Sequence, residues 1–229
     1  MEYSIIIPAH NEEKIIGRTL TNLLVNMPPN GEIIVVADAC SDNTVEIAEK
    51  MPVKVHKVNF KNISKTRNHG ASKASGKILI FNDADTLVSS NYVKQILEKV
   101  QKGAEFGCAR WVPESRHPVA HFWALSLNTA SRFFSYAHGN CFMTREIYDS
   151  LGGYREDLII NEDSDFSDRV QASKRKFHFL QDSWIKPSER KWREDGYLKS
   201  FIRRGFLDAA AYLILGKKKY YKRSGKRLK

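Results

Sequence analysis

The sequence predicts an α/β protein whose open, mostly parallel central sheet is flanked by helices. Four short segments are rich in Ile and Val and show almost no polar alternation, as in strands that are buried on both faces. These segments are residues 3–7, 32–37, 53–58 and 77–81. Between them, at 12–26, 42–50 and 63–74, apolar residues recur at helical spacing. This alternating order favours parallel strand pairing with helices on both faces of the sheet.

The remaining elements follow from capping signals and from the same periodicities. A helix over 91–102 begins after two serines and ends at Gly103. Beyond it, the predicted elements are a strand at 106–111, a helix at 118–135, an extended segment at 141–144, and helices at 145–151, 162–173 and 197–215. We therefore predict one folded domain over residues 1–190, divided near residue 110, and a basic amphipathic helix and tail over 191–229.

The composition is typical of a globular protein. The 229 residues are 42% hydrophobic and 28% charged, which excludes a disordered chain. No apolar run reaches the roughly 18–20 residues that span a bilayer, and no signal-peptide pattern precedes the first strand, so we expect a cytoplasmic protein. Three cysteines, Cys40, Cys108 and Cys141, lack paired spacing and are expected to be free, buried thiols.

The net charge of +11 lies entirely at the C-terminal end. Residues 190–229 contain 14 Lys and Arg and 3 Asp and Glu, so residues 1–189 are neutral overall. Such a segment needs an anionic partner or a solvated role, and nucleic acid, an anionic membrane and solubility are the candidates. Basic residues near a membrane contribute about 1 kcal/mol each, and Tyr220 and Tyr221 suit an interface. We therefore expect peripheral docking on an anionic membrane surface.

Polar loops follow the first, second and fourth predicted strands. In an open α/β sheet, ligands bind outside the carboxyl ends of the strands. Asp83 and Asp85 lie two apart at such an end, where extended geometry points both side chains to the same side. Two carboxylates without soft ligands favour Mg²⁺ or Mn²⁺, which leave positions open for phosphate oxygens. The alternative is that one of these aspartates caps the following turn or helix.

Five groups of motifs occur in a characteristic order over about the first 170 residues. They are Ser4–Glu13; Val35–Thr44; Arg67–Gly70 with Gly76; Asp83–Asp85; and Gly139–Arg145 with Gly152–Tyr154 and Glu162–Asp163. In content and order they resemble the family 2 glycosyltransferases, which have the GT-A fold. The resemblance implies a Rossmann-like nucleotide-binding half, residues 1–110, and an acceptor half, residues 111–190.

The resemblance implies a reaction and a set of donor-binding residues. The reaction is transfer of a sugar from a UDP- or GDP-linked donor to a hydroxyl or lipid-linked acceptor, with inversion at the anomeric carbon. By position, the donor-binding residues are Pro8, Ala9, Asn11, Glu12, Asp38, Arg67, Gly70, Asp83, Ala84, Asp85 and Arg190. For Arg67 and Arg190 the alternative is a solvated surface position.

The resemblance also implies a divalent cation, Mg²⁺ or Mn²⁺, at Asp83 and Asp85, with His178 as a candidate ligand from the second half. Glu162 and Asp163 match the family's acidic pair, and Asp163 is the expected general base. An inverting displacement needs a carboxylate to remove the proton of the acceptor hydroxyl, and a cation to neutralise the departing diphosphate. The alternative for these acids is a helix N-terminus, where the macrodipole favours negative charge.

Three other functions compete with sugar transfer. A nucleic-acid-binding protein would explain the net charge of +11, but the neutral body and the acidic edge of the sheet argue against it. A sugar nucleotidyltransferase shares the nucleotide-sugar chemistry, but its basic, glycine-rich first loop is absent. The GxGxxG fingerprint of a dinucleotide-dependent dehydrogenase is absent as well.

Overall fold

A mixed sheet of eight strands organises the part of the chain that this computed structural model describes, residues 1–158 and 161–202. In chain order the strands are β1 (Tyr3–Ala9), β2 (Gly31–Asp38), β3 (Lys54–Val58), β4 (Ile78–Phe81), β5 (Thr86–Val88), β6 (Phe106–Trp111), β7 (Cys141–Thr144) and β8 (Phe177–Pro187). Across the sheet the order is β3-β2-β1-β4-β7-β6-β8-β5. Strands β1 to β4 are parallel to one another, whereas β7 is antiparallel to both of its neighbours.

Helices cover both faces of this sheet, so the predicted α/β class is confirmed. They are α1 (Ile16–Asn26), α2 (Thr44–Glu49), α3 (Ile63–Lys73), α4 (Tyr92–Gln101), α5 (Pro118–Phe134), α6 (Arg145–Ser150), α7 (Glu162–Ala172), α8 (Arg190–Asp195) and α9 (Tyr197–Phe201). The helix predicted over 197–215 is described only as α9, since residues 203–229 lie outside the described part of the chain. None of the described helices is long and apolar enough to cross a membrane.

The apolar strands are buried because the sheet carries a core on each face. In β1, Ile5 and Ile7 belong to one cluster of buried side chains and Ile6 to the other. Residues alternate between the faces of a strand, so a strand covered on both sides needs apolar residues at every position. This explains why the sequence of β1 and β2 lacks the polar alternation of a half-exposed strand.

The first loop is longer than predicted, because α1 begins at Ile16 rather than at Glu12. The backbone N–H of Glu12 donates to Thr44 Oγ1 at 2.7 Å, and the N–H of Glu13 donates to Asp42 Oδ2 at 3.0 Å. These bonds tie the loop after β1 to the loop after β2. Residues 12–15 are therefore held as part of the binding edge of the sheet.

Strand β8 returns the chain to that edge. It runs parallel to β6 and antiparallel to β5, and the N–H of Ser188 just beyond it donates to the carbonyl of Asp85 at 2.9 Å. The chain continues into α8, where Trp192 is buried. The predicted domain boundary at residue 190 thus falls at the start of a helix that packs on the domain.

The cysteine prediction holds in part. All three thiols are free, and Cys108 and Cys141 are buried, but Cys40 is only partly buried. Burial raises the pKa of both Cys108 and Cys141 to about 12. These two thiols behave as core side chains.

Candidate active site

A cavity of about 510 Å³ lies at the carboxyl ends of β1, β2 and β3. Its wall combines the loop after β1, the loop after β2 and the first turn of α3. The lining residues are Pro8, Ala9, His10, Asn11, Asp38, Ala39, Ser41, Lys61, Asn62, Ile63 and Thr66. Four residues predicted to bind the donor are among them, and no acidic side chain other than Asp38 contributes to the wall.

The cavity wall contains an unusual concentration of strained backbone. Asn11, Ala39 and Lys61 have positive φ angles of 54°, 52° and 50°. Non-glycine residues rarely adopt this left-handed conformation, which is maintained only where the surrounding structure enforces it, often at binding sites. Asn11 is held because its side-chain oxygen accepts the N–H of Ser41 at 2.8 Å. The strain therefore shapes the cavity.

Asp38 organises the cavity wall through four hydrogen bonds. Its Oδ1 accepts the N–H groups of Phe60 and Lys61 at 2.7 and 2.9 Å. Its Oδ2 accepts the N–H of Asn62 at 3.1 Å and the hydroxyl of Thr66 at 2.8 Å. A carboxylate offers about four acceptor positions, and the chain fills all of them. Groups of the chain itself thus hold the Asp38 carboxylate in the cavity wall, and its expected contact with the donor stays a prediction.

Arg67 joins two acidic motifs that are far apart in the sequence. Its Nη2 donates to Asp83 Oδ1 at 2.9 Å, and its Nη1 donates to Glu162 Oε1. Only 3% of the side chain is exposed. Burial lowers the pKa of a guanidinium, but the carboxylates of Glu162 and Asp83 outweigh it and raise the pKa of Arg67. The arginine therefore stays charged and fixes the end of β4 to the start of α7.

The segment before β7 holds the other side of Asp83. Asn140 Nδ2 donates to Asp83 Oδ2 at 3.0 Å, and the N–H of Asp83 donates to Asn140 Oδ1 at 2.7 Å. A Cβ atom at Gly139 would lie 2.8 Å from Arg67 Nη2, so a side chain there would displace the ion pair. Gly139 and Asn140, quoted above only as part of a motif, thus belong to the site.

Asp85 lies among negative charges and is only half-buried. Burial, together with Asp83 and Glu12, raises the pKa of the Asp85 carboxyl to about 7, while Lys191 and Arg190 act in the opposite direction. Glu12 Oε2 in turn accepts a hydrogen bond from Arg190 Nη2 at 2.8 Å. The first loop and the residues after β8 therefore meet beside Asp85.

This environment fits a divalent cation. The side-chain oxygen donors are carboxylates, and the surplus of negative charge around Asp85 is what an added cation would relieve. Asp83 already has both oxygens hydrogen-bonded, which leaves Asp85 as the more available ligand. Within residues 1–158 and 161–202, no group of three or more His, Cys, Asp and Glu side chains is arranged to hold a metal.

The acidic pair at the start of α7 divides into two different environments. Glu162 is buried and bound by Arg67, and burial raises its pKa while Arg67 opposes that shift. Asp163 is half-buried, and its Oδ1 accepts the N–H of Ser164 at 2.7 Å. Arg67 thus holds the Glu162 carboxylate, whereas Asp163 has the more accessible carboxylate of the two.

The side chains of three other predicted site residues lie away from the acidic groups. Gly70 faces the sheet, where an added Cβ would lie 2.4 Å from Ile6 Cγ2, so its role is close packing of α3. Ala84 is the middle residue of the acidic motif, and its side chain is buried in the core. His178 pairs with Gly107 near the start of β8, whereas Asp85 lies beyond the opposite end of that strand. At about 3.3 Å per residue, the length of β8 keeps His178 away from any metal at Asp85.

His138, next to Gly139 in the chain, is a buried residue that the sequence analysis did not single out. Its side chain is buried, its Nε2 lies 3.3 Å from the carbonyl of Ala109, and its Nδ1 has no hydrogen-bond partner. Burial lowers the pKa of His138, while the hydrogen bond to Ala109 and the charges of Asp163 and Asp83 oppose that shift. Its position beside Gly139 was the available signal.

The sequence matches Glycosyl transferase family 2 over residues 4–159, which is more than half of the chain. The chain belongs to this family. Three relatives illustrate the likeness. It is 28% identical to a poly-beta-1,6-N-acetyl-D-glucosamine synthase of Staphylococcus epidermidis over 50% of this chain and 29% of that protein. It is 27% identical to Glycosyltransferase AglD of Haloferax volcanii over 50% of this chain and 20% of that protein.

The third relative is the 4,4'-diaponeurosporenoate glycosyltransferase of Staphylococcus haemolyticus. The chain is 36% identical to it over 41% of this chain and 27% of that protein. This chain thus aligns with less than a third of the length of each of these three relatives. Their activities and partners therefore enter only as proposals for this chain.

Two solved structures share the fold. TarS of S. aureus in complex with UDP-GlcNAc superposes with a TM-score of 0.70 at 19% identity, covering 94% of this chain and 67% of that one. The mannosyltransferase PcManGT from Pyrobaculum calidifontis, in complex with GDP-Man and Mn²⁺, superposes with a TM-score of 0.69 at 20% identity. The superposition covers 89% of this chain and 60% of that one. The GT-A fold that the sequence resemblance implied is confirmed.

Proposed function

We propose that the protein is an inverting glycosyltransferase that moves a sugar from a UDP- or GDP-linked donor to a hydroxyl of a glycan or lipid-linked acceptor. The observation that carries this proposal is the pair of contacts made by Arg67. One buried guanidinium binds Asp83 of the donor motif and Glu162 beside the expected base, Asp163. Arg67 thereby joins the motif expected to bind the donor to the helix that carries the expected base.

The cavity at the ends of β1 to β3 is the proposed nucleoside site. Its wall offers Asn11, Lys61, backbone groups and the Asp38 carboxylate. The fold neighbours carry UDP-GlcNAc or GDP-Man in the complexes named above, which supports a donor of either type. From this cavity, the diphosphate would extend toward Asp85 and Arg190.

Asp85, with Asp83 behind it, would hold a Mg²⁺ or Mn²⁺ ion. Such an ion, when bound, offsets the charge of the departing diphosphate. The neighbour with GDP-Man also contains Mn²⁺, which supports a divalent cation in this family member. Arg190 supplies a further positive charge near Asp85, and its ion pair with Glu12 fixes its position. Lys191 lies exposed beside it.

Asp163 is the proposed general base. An inverting displacement places the acceptor hydroxyl opposite the leaving diphosphate, and a carboxylate within hydrogen-bond reach removes its proton as the new bond forms. The ion pair between Glu162 and Arg67 fixes the first turn of α7, which carries Asp163. Glu162 therefore influences the reaction by positioning Asp163.

Calorimetric titration tests the donor site. UDP, GDP, UDP-GlcNAc and GDP-Man are titrated into the full chain with and without Mn²⁺. We expect one nucleotide class to bind in a Mn²⁺-dependent way, and Asp85→Asn to weaken that binding at least tenfold. Asp149→Asn is the control, because this exposed aspartate of α6 lies away from the site. Binding of no nucleotide under any condition would contradict the proposal.

Single-turnover kinetics tests the base. Asp163→Asn should retain donor affinity while the rate of sugar transfer or donor hydrolysis falls by about 10²–10⁴, the usual contribution of a general base. Glu162→Gln should also reduce the rate, but with a lower melting temperature, because it weakens a buried ion pair. If Asp163→Asn turned over at the parent rate, another group would be the base.

The basic C-terminal segment, most of which lies outside the described residues, is proposed to bind an anionic membrane surface. A lipid-linked acceptor would then be presented in the same plane as the enzyme. Nucleic acid is the competing partner, and it would reveal itself as salt-dependent binding of oligonucleotides at submicromolar protein.

A further inference from the structure

The outward face of α5 carries a central stripe of exposed apolar side chains, flanked by the exposed polar residues His121, Ser126 and Arg132. Phe122, Leu125 and Phe133 are 57%, 64% and 69% exposed, and the inward face is formed by small buried residues such as Ala120 and Ala124. Together with the exposed Pro118 and Thr129, these outward residues recur at intervals of three and four along the helix. They therefore form one stripe about 20 Å long, in which Thr129 is the polar member.

The stripe continues onto α9. The rings of Phe122 and Phe201 lie 5.6 Å apart, so the two helices are in contact there. Six of the nine large apolar side chains that are exposed in the described part of the chain lie on α5, at its C-terminal end or on α9 and just after it. They are Phe122, Leu125, Phe133, Phe134, Leu198 and Ile202. We call this surface the apolar face.

Positive charge borders the apolar face. Arg116, Arg132 and Lys199 are exposed beside it. The chain then leaves α9 directly at the face, and the following residues 203–229 contain 10 Lys and Arg against 1 Asp. An occupant that is apolar at its centre and negative at its rim would complement the face in both respects. A second copy would bring two strongly basic segments together, whereas an anionic bilayer supplies both properties.

We infer that the apolar face is a membrane-binding surface of the folded domain itself, which inserts into an anionic bilayer. The inference deepens the membrane contact proposed above, because it adds a hydrophobic contribution from α5 and α9 to the electrostatic one of the C-terminal segment. It also ties the membrane to the site: Trp123 of α5 packs on Trp192 of α8, and α8 begins at Arg190 beside Glu12. The end of the candidate site that carries Arg190 and Glu12 is then connected to the bilayer surface through α8 and α5.

Sedimentation of the full chain with vesicles tests this inference. The vesicles are phosphatidylcholine alone or a 3:1 mixture with phosphatidylglycerol, at salt concentrations of about 0.05 and 0.5 M, since salt screens the basic segment and leaves apolar contacts. We expect the triple variant Leu125→Ser, Phe133→Ser, Phe134→Ser to bind at least tenfold more weakly, with the largest loss at high salt. Val25→Ser on α1, which removes an equally exposed apolar side chain elsewhere, should bind as the parent does.

Two results would overturn the inference. One is vesicle binding by the triple variant equal to that of the parent. The other is a parent that elutes as a dimer while the variant elutes as a monomer, because the face would then join two copies. Nucleotide calorimetry on the variant separates this test from the proposed reaction, since unchanged donor binding shows an intact active site.

A second measurement does not depend on losing binding. Leu125→Trp and Val25→Trp are compared in vesicles whose lipid acyl chains are brominated. Quenching beyond that of the parent is expected for Leu125→Trp only. Equal quenching in the two variants would show that α5 does not enter the bilayer.

Discussion

The buried side chain of Arg67 joins the two acidic motifs of the candidate site. Arg67 has carboxylates at both ends of its guanidinium and the ring of Tyr154 at 5.4 Å. The planar fork suits two carboxylates from different elements, which a lysine ammonium cannot hold in the same way. Without the arginine, Glu162 would be a buried charge without a counter-ion.

Replacing Arg67 with Met should therefore cost about 3–5 kcal/mol in the free energy of unfolding, measured by urea titration, because it leaves a buried carboxylate unpaired. Arg175→Met is the matched control. Arg175 pairs with Glu105 and Glu146 near the surface, where such pairs contribute less than about 1 kcal/mol. Equal losses in the two variants would contradict the special role of Arg67.

Glu32 is another buried charged side chain that joins several elements, and it lies away from the site. Its Oε1 accepts hydrogen bonds from Ser4 and Ser75, and its Oε2 accepts one from Lys54 at 2.6 Å. Burial alone would raise its pKa, but these donors outweigh burial and lower the pKa of Glu32 to about 2. The ionised carboxylate thus fastens β2 to β3 and to the segment before β4.

This pKa makes a pH-dependent contribution to stability. The pKa is lowered on folding, so the stabilisation is complete above about pH 4.5 and is lost as the pH falls toward 2. Glu32→Gln should lower the free energy of unfolding by about 2–3 kcal/mol at pH 7, and the difference should shrink over that acidic range. Glu46→Gln, on exposed helix α2, should show a much smaller trend of the same sign, because Lys50 lowers the pKa of Glu46 but solvent screens this exposed pair. A pH-independent difference for Glu32→Gln would contradict the linkage.

At the scale of elements, α3 depends on one residue without a side chain. Gly70 lets the helix lie directly on β1 and β2, where Ile6 and Val36 occupy the space that a Cβ would need. The sequence motif that contains Gly70 was attributed to ligand approach, and the structure shows instead that it sets the distance between helix and sheet. That distance in turn places Arg67, one turn earlier.

Gly70→Ala should lower the melting temperature by several degrees, since overpacking of about 1–3 kcal/mol exceeds the gain of about 1 kcal/mol in helix propensity. Gly17→Ala in α1 is the control. Its nearest neighbour is the end of the Ile47 side chain at 3.3 Å, which can yield, so this variant should be unchanged or more stable. An unchanged melting temperature for Gly70→Ala would show that α3 shifts without cost.

The elements differ in how far the sequence predicts them. The bounds of α3 agree within one residue with the prediction, because Asn62 caps its start by accepting the N–H of Lys65 and Gly76 follows its end. Strand β8 was not assigned a range, because its burial is irregular and its pairing with β6 shifts register between Ala109 and Arg110. The local pattern of apolar and polar residues in a sequence carries no information about such a register shift.

The candidate site shows the same limit. Asp83, Asp85 and Asp163 were found from motifs and from the rule that loops after strands bind ligands. The contacts of Asn140 and His138 were not, because they join residues more than 25 positions apart. The same is true of the saturated Asp38, whose partners lie 22 to 28 positions away.

At the scale of the whole molecule, the charge distribution separates two contributions to membrane binding. A chain that ends at Gly216 lacks eight of the basic residues and none of the described structure. We expect it to lose affinity for phosphatidylglycerol vesicles mainly at low salt, with unchanged donor binding. The triple variant of α5 should instead lose the binding that resists salt. Identical salt profiles for the two would mean that only one contribution exists.

The order of strands also has a consequence for synthesis. Strand β4 is complete at Phe81, but its partner on one side, β7, begins at Cys141, about 60 residues later. At a translation rate of about 5–20 residues per second, the apolar edge of β4 waits roughly 3–12 seconds on the ribosome without its neighbour. An exposed, unpaired strand edge is a template for pairing with other chains. Nascent chains of this protein should therefore need protection by chaperones during that interval, and fragments that stop before Thr144 should aggregate.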